Sequence, residues 1–389
     1  MKVSHRKISA VSRRTFLAAT AAVTLAPQTA FAAPDSATVA RGKAALAALI
    51  AQAKKEPDVV DAHPTLSHLP FAPKANQLFN THFGLNKTIK MSEGVDDTFT
   101  AQMIETLKVG GTPSQIFYNT IASNMPIFVD GGYVEPIRDW AALLAAVNPR
   151  VASGAVAATT ISPNPTSGYA FAYSNRLKGV GFRTAAPRAD LPRSYEQMAD
   201  PKFAGHYAIE PWTSHWEALG YNYYPNRLDQ YLKMLNTIGK GAYVVSRSHQ
   251  LIPRMALGEF NYMTLNDEVV AKFLAENPGS PVDYYFMNDM VPIETSTLFI
   301  PKKSAAPATA TLFLLYFTHP DVQALRAADS PNILYGEKPF DAVMRARLKG
   351  KHIWDWTMNA STLAYLKWIN GDEGKVFRSK VLQAVHQRT

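Results

Sequence analysis

The residues of this chain with the types and spacing for chemistry are polar groups placed where an extended run gives way to a helix. The sharpest set is Trp212, Thr213, Ser214 and His215. They follow a short extended stretch, 206–209, that Pro211 stops, and Ser214 with Glu217 has capping-box spacing. A helix is therefore expected to open at a strand's carboxyl end. The free N–H groups of its first turn and the positive end of its dipole would suit a carboxylate, phosphate or phosphonate. Trp212 would add a flat apolar wall and His215 a titratable tip; an ordinary strand–helix corner with Trp212 in the core would use the same letters. Asn119 and Thr120 follow the buried run 115–118, Ser92 and Glu93 follow 88–91, and Asn266 and Asp267 follow 260–264. Helix capping would account for Asn119, Thr120, Asn266 and Asp267 equally well. Asp289, with Glu294 beyond it, could meet a cationic amine.

Other chemistries find little to stand on. No Gly-x-Ser-x-Gly, His-Glu-x-x-His or phosphate loop ending in Gly-Lys-Ser/Thr occurs. The Gly179-x-Gly181 pair lacks its third glycine and reads as following a basic loop instead of a strand. His63 and His68 do not have the spacing of a helical pair, so no metal site is expected. No catalytic residue and no cofactor is assigned. A hydrolase whose residues meet only in space remains an alternative.

The elements that must position these groups come from a chain of 389 residues, long enough for two α/β lobes with separate cores. Its 47% hydrophobic and 18% charged content is that of a globular protein. The formal charge of +9 is concentrated at the amino terminus, where Lys2, Arg6, Lys7, Arg13 and Arg14 stand without an acid. Removing those five from 40 basic residues leaves 35 against 31 acidic, a balance of +4. Downstream there is no basic cluster with interleaved aromatics, so nucleic acid is not an expected partner.

That basic start precedes a short apolar run, 16–25, and Ala30-Phe31-Ala32, a small-x-small cleavage site. Residues 1–32 are read as a signal peptide cleaved near Ala32. Ser12-Arg13-Arg14-Thr15-Phe16-Leu17 resembles the twin-arginine export motif. With no cysteine there are no disulfides, thiolate metal sites or lipidated thiols. An exported, unanchored, cysteine-free chain points to a bacterial periplasm.

Downstream, helical and extended patterns alternate. Helices are expected over 38–55, 71–82, from Asp96 or Asp97 to Gly110, over 121–129, and later over 228–235, 307–317 and 375–386. Short strands are expected over 58–62, 88–91, 115–118, 169–174, 243–245, 260–264, 284–287 and 295–300. Residues 149–168, rich in small residues, Pro and Gly, read as a linker. Such alternation argues for a mostly parallel sheet with ligands off its strand ends.

Three stretches carry a family resemblance. Tyr173-Ser174-Asn175 is followed by Leu191-Pro192-Arg193-Ser194-Tyr195-Glu196 and Asp200-Pro201-Lys202-Phe203-Ala204-Gly205. The second stretch is Ala256-Leu257-Gly258-Glu259-Phe260. The third is Phe299-Ile300-Pro301-Lys302-Lys303-Ser304-Ala305-Ala306 with Phe317-Thr318-His319-Pro320-Asp321-Val322-Gln323. In this order they resemble periplasmic solute-binding proteins of ABC importers, in the branch that contains ferric-ion-binding proteins.

The resemblance implies a type II periplasmic-binding-protein fold: two α/β lobes joined by two crossing segments, near 162–169 and 286–296, that close over a solute. Lobe 1 would be 33–165 plus 292–330, lobe 2 would be 166–291, and 331–389 a helical extension packed on the lobes. Its partners would be a small-molecule solute and a permease in the inner membrane, with the protein itself a monomer. Ferric-binding members place adjacent tyrosines after the strand equivalent to 260–264, where this chain has Leu265-Asn266-Asp267-Glu268. Tyr223-Tyr224 and Tyr284-Tyr285 stand elsewhere. A polar organic solute is therefore the expectation, and iron held by displaced ligands the alternative.

Overall fold

The computed structural model describes residues 32–63, 71–91, 96–164, 166–210, 212–244, 250–329, 346–355 and 363–386. Residues 1–31, His68, Ser92, Glu93 and the segment 331–345 lie outside them. Among the described residues no helix is long and apolar enough to cross a membrane.

Helix α1 (Ser36–Ala53) starts on Asp35, whose carboxylate accepts from the Thr38 N–H at 2.6 Å. β1 (Val59–Ala62) and β2 (Thr88–Met91) pair in parallel, with α2 (Ala72–Phe83) between them in sequence. α3 (Asp96–Lys108) is followed by Gly110 at φ +80°, the left-handed turn that glycine allows, and then by β3 (Tyr118–Ile121). Helices α4 (Met125–Asp130), α5 (Trp140–Val147), α6 (Pro149–Ala152) and α7 (Ala158–Ile161) lead to β4 (Ala170–Arg183).

Beyond it come α8 (Tyr195–Met198), β5 (Tyr207–Ile209), α9 (Ser214–Tyr223), α10 (Leu228–Gly241) and β6 (Tyr243–Val244). Then follow α11 (Leu251–Ala256), β7 (Tyr262–Asn266), α12 (Asp267–Glu276), β8 (Val282–Tyr285) and β9 (Val291–Phe299). The chain continues with α13 (Pro307–Phe317), α14 (Pro320–Asp329), β10 (Ile353–Asp355), α15 (Leu363–Asn370) and α16 (Asp372–Val385).

β4 organises an eight-stranded mixed sheet. Its first half, from Ala170 to Leu177, pairs antiparallel with β9, with a shift in register between Ala172 and Ser174. Its second half lies between β7 and β8, and β5 and β6 extend the sheet in parallel beyond β7. β3 and β10 line the far side of β9.

The strand expected over 169–174 thus runs on to Arg183, and the presumed basic loop before Gly179 is strand interior. Close packing explains the glycines: a Cβ at Gly179 would lie 3.1 Å from the Tyr285 carbonyl oxygen, and one at Gly181 3.1 Å from the Leu265 side chain.

Apolar residues gather in separate clusters along this strand. Phe171 and Tyr173 join Phe79, Leu144, Phe313 and Phe317. α13 is buried from Ala308 to Phe317, as suits a helix apolar all round. Val180 and Phe182 face a second cluster with Trp216, Tyr231 and Leu235, and Leu177 faces a third with Met263, Leu265 and Val270. Each Leu, Phe or Val so buried contributes about 1.5–3 kcal/mol.

The carboxyl-terminal segment completes the second cluster through Trp354, Tyr365, Phe377 and Val381. Its α16 lies hard against α10, where a Cβ at Gly239 would fall 1.9 Å from the Ala384 carbonyl oxygen. Of the two glycines expected to end this helix, α10 passes through Gly239, which serves helix approach, and ends at Gly241.

Candidate functional site

Two neighbouring parallel strands, β5 and β7, each run into a helix at their carboxyl ends: α9 after β5 and α12 after β7. Neither helix start carries a side-chain cap. Thr213 precedes α9 and Asn266 precedes α12, and neither side chain bonds the first-turn amides. The expected capping box between Ser214 and Glu217 does not form. Ser214 Oγ instead lies 3.5 Å from Glu294, while Glu217 accepts from Thr213 Oγ1 at 2.8 Å and from Arg378 Nε at 3.1 Å. Two helix N-termini are left with their amides and dipoles directed at one end of the sheet.

The floor beneath follows from strand alternation. Phe182, Val180, Lys178 and Arg176 share one face of β4. Directly opposite them stand Tyr262, Thr264 and Asn266 on β7, and Glu294 on β9 faces Arg176. The face is apolar at Phe182 and Tyr262 and polar at Lys178, Asn266, Arg176 and Glu294. Lys178 Nζ lies 2.9 Å from Glu210, an ion pair buried on both sides. Arg176 Nε reaches Glu268 at 3.0 Å, and its guanidinium lies 3.7 Å from Glu294. Thr264 Oγ1 and Asn266 Oδ1 are buried without a hydrogen-bond partner among the described residues. Buried polar atoms left this way are uncommon and mark places where water or ligand completes the bonding.

His215 is 1% exposed, and neither ring nitrogen has a partner among the described residues. Burial, with Lys178 nearby, holds its pKa well below the ordinary histidine value. His215 is thus a neutral imidazole that can donate one hydrogen bond and accept another. Trp212 is 53% exposed beside it, whereas the tryptophan in the core is Trp216, edge-on to Tyr195 at 5.3 Å. Trp212, Thr213, Ser214, His215 and Asn266 are therefore brought to one corner. Asp267 joins them fully buried, its Oδ1 accepting from the Leu177 N–H at 3.0 Å.

The remaining candidates are placed elsewhere. Asn119 Oδ1 accepts from Tyr173 Oη at 2.7 Å and its N–H donates to His63 Nδ1 at 3.3 Å. Thr120 Oγ1 accepts from Asn124 at 3.0 Å, and the Thr120 carbonyl accepts from Thr297 Oγ1 at 3.1 Å. These bonds knit β3 to β4 and β9. Asp289 accepts from the N–H groups of Tyr195 at 2.7 Å and Met290 at 3.1 Å, so it caps α8, and burial raises its pKa. Ser92 and Glu93 lie outside the described residues.

The Tyr284-Tyr285 pair is committed too: Tyr284 sits under Arg347, whose guanidinium is 4.0 Å from the ring centroid, and Tyr285 Oη donates to the Pro192 carbonyl at 2.5 Å. Among the described residues no group of three or more His, Asp or Glu side chains could hold a metal ion. Glu210 and Thr264 were missed as well, Glu210 being paired only across the sheet with Lys178; Arg176 and Lys178 escaped because β4 was expected to stop at Ser174. Their signal was the alternation Arg-x-Lys-x-Val-x-Phe from 176 to 182.

No protein family matches the sequence, and neither does any curated protein. Solved structures do match the fold. Iron-bound HitA of Pseudomonas aeruginosa has a TM-score of 0.65 at 14% identity, over 84% of this chain and 99% of HitA. The apo ferric-ion-binding protein A of Pasteurella haemolytica has 0.61 at 13%, over 85% and 98%. The spermidine/putrescine-binding protein PotD of Streptococcus pneumoniae, solved with calcium and HEPES, has 0.56 at 11%, over 84% and 100%. These neighbours are substrate-binding proteins of ABC importers, and the chain has their fold, that of the type II periplasmic binding proteins.

Proposed function

We propose that this protein is a periplasmic solute receptor that captures a small polar organic solute with an anionic group and delivers it to an ABC permease. The observation that carries the reading is the corner where α9 and α12 begin. Two uncapped helix starts stand over a sheet face whose Thr264, Asn266 and His215 keep buried polar atoms without partners. An oxyanion at the α9 start would take up amide donors that no side-chain cap among the described residues meets. Exposed Trp212 would flank it.

In this reading 33–165 with 292–330 and 166–291 act as two lobes. β4 and β9, which contribute to apolar clusters on both sides, are the segments that bend. Solute contacts to both lobes exist only when the lobes close, so binding shifts that equilibrium. Export by a twin-arginine signal cleaved near Ala32, and action as a monomer, complete the proposal.

The neighbours' names bracket the ligand between iron and polyamines. The organic side is favoured, because Leu265-Asn266-Asp267-Glu268 stands at the position where ferric-binding members carry tyrosines, and Tyr284 and Tyr285 are engaged by Arg347 and the Pro192 carbonyl.

Ligand-induced thermal stabilisation tests the site, since its size follows RT ln(1 + [L]/Kd). Replacing Thr213→Ile and Ser214→Leu together should abolish the rise in Tm given by the solute that co-purifies with the protein. An unchanged rise would remove this corner as the site.

A further inference from the structure

The charge balance of the same corner says more about the solute. Apart from the Glu217–Arg378 pair at the α9 start, two cations, Arg176 and Lys178, face four carboxylates, Glu210, Asp267, Glu268 and Glu294. Three of these have close partners: Glu210 has Lys178 at 2.9 Å, Glu268 has Arg176 at 3.0 Å, and Asp267 has the Leu177 N–H at 3.0 Å. Glu294 does not. Although it is only 9% exposed, its contacts among the described residues are Arg176 at 3.7 Å and Ser214 Oγ at 3.5 Å. A shielded carboxylate held this loosely is short of positive charge.

Its position makes the shortage specific. Ser214 is the first residue of α9, so Glu294 stands beside the amides that would receive the solute's oxyanion. A bare anion there would meet the Glu294 charge at short range. Neutral His215 cannot cancel it, and both cations of the floor are already engaged. Thr264 Oγ1, 2% exposed and on the same sheet face, and the His215 nitrogens supply unpartnered buried polar atoms at the same corner.

Building on the receptor reading above, we infer that the solute is a small zwitterion, with its oxyanion at the start of α9 and an ammonium group on the Glu294 carboxylate. Glu294 is then the residue that selects against simple anions. The anionic end could be a carboxylate or a phosphonate, since a helix start accepts either.

The test uses the mature chain in thermal-shift titrations with three matched probe sets of graded chain length. The first holds ω-amino carboxylates and ω-aminoalkylphosphonates. The second holds the same anions without the amine, and the third the same amines without the anion. Zwitterions should raise Tm and the other two sets should not; comparing the two kinds of zwitterion tells carboxylate from phosphonate.

Glu294→Gln should weaken the best zwitterion by roughly tenfold or more and strengthen its amine-free analogue, an inversion that a merely structural role would not produce. Glu294→Asp should restore part of the zwitterion affinity. If amine-free anions bind the wild type as tightly as zwitterions and Glu294→Gln changes neither, the ammonium falls and the receptor reading stands. Amines that bind alone, untouched by the Thr213→Ile/Ser214→Leu pair, would overturn the anion at α9. No stabilisation by any set would overturn both.

Discussion

Helices α13 and α9 both start downstream of a strand, and their first turns are satisfied in opposite ways. At α13 the Glu56 carboxylate, brought from far away in sequence, accepts from the N–H groups of Ala308 at 2.9 Å and Thr309 at 2.7 Å and from Thr309 Oγ1 at 2.7 Å. At α9 no carboxylate among the described residues caps the first turn. Glu217 is turned to Thr213 and Arg378, and Glu294 to Arg176 and the Ser214 hydroxyl. The fold thus shows what a helix start of this chain takes when it is built for stability, and leaves the same fitting open where a solute would supply the carboxylate or phosphonate.

The largest expected effect strikes the open corner from below. Lys178→Met would leave Glu210 buried and unpaired, at a cost of about 3–5 kcal/mol. A urea midpoint close to that of the wild type would show that the pair is not the buried one described here. Glu56→Gln breaks the filled helix start and should cost about 1.5–3 kcal/mol in the same measurement. It should leave zwitterion affinity unchanged, since α13 takes no part in binding; a parallel loss of affinity would blur the contrast between the two starts.

Acid should weaken the protein next. Burial lowers the His63 pKa from 6.5 to about 3, so below pH 6.5 the unfolded chain binds a proton that the folded one refuses. Stability is therefore full above pH 6.5 and falls as pH drops toward 3. His63 alone should account for about 1 kcal/mol at roughly pH 5.5, and His63→Gln should flatten that part of the profile. A profile identical in wild type and variant would contradict the assignment. The smallest effect on stability belongs to Arg378→Ala, within about 1 kcal/mol. Its signature is instead a several-fold loss of zwitterion affinity, because the Glu217 charge at the α9 start would no longer be offset.

The alternation of helix and strand was legible in the sequence because turn residues punctuate it: Gly110, Asp200-Pro201 and Gly258 each fall where an element ends. The corner at 212–215 was legible too, from a proline-stopped strand and a run of capping residues. Its interior was not. Trp212 stays outside because α9 begins at Ser214 and leaves it ahead of the helix, whereas Trp216, inside the helix, is buried. Lys178 and Arg176 looked like a basic loop because glycines interrupt the apolar alternation, and only the neighbouring strands explain those glycines. Asn119 and Asp289 show the converse. Asn119 lies inside β3 instead of at its end, and both spend polar atoms on distant backbone and side chains that no local pattern announces.

The most direct test is a crystal structure of the protein with its co-purified solute in place. The account expects the oxyanion within about 3 Å of the backbone nitrogens that open α9, with a cationic nitrogen on Glu294. A solute seated instead against Asn119 and Thr120, with the α9 amides untouched, would contradict it.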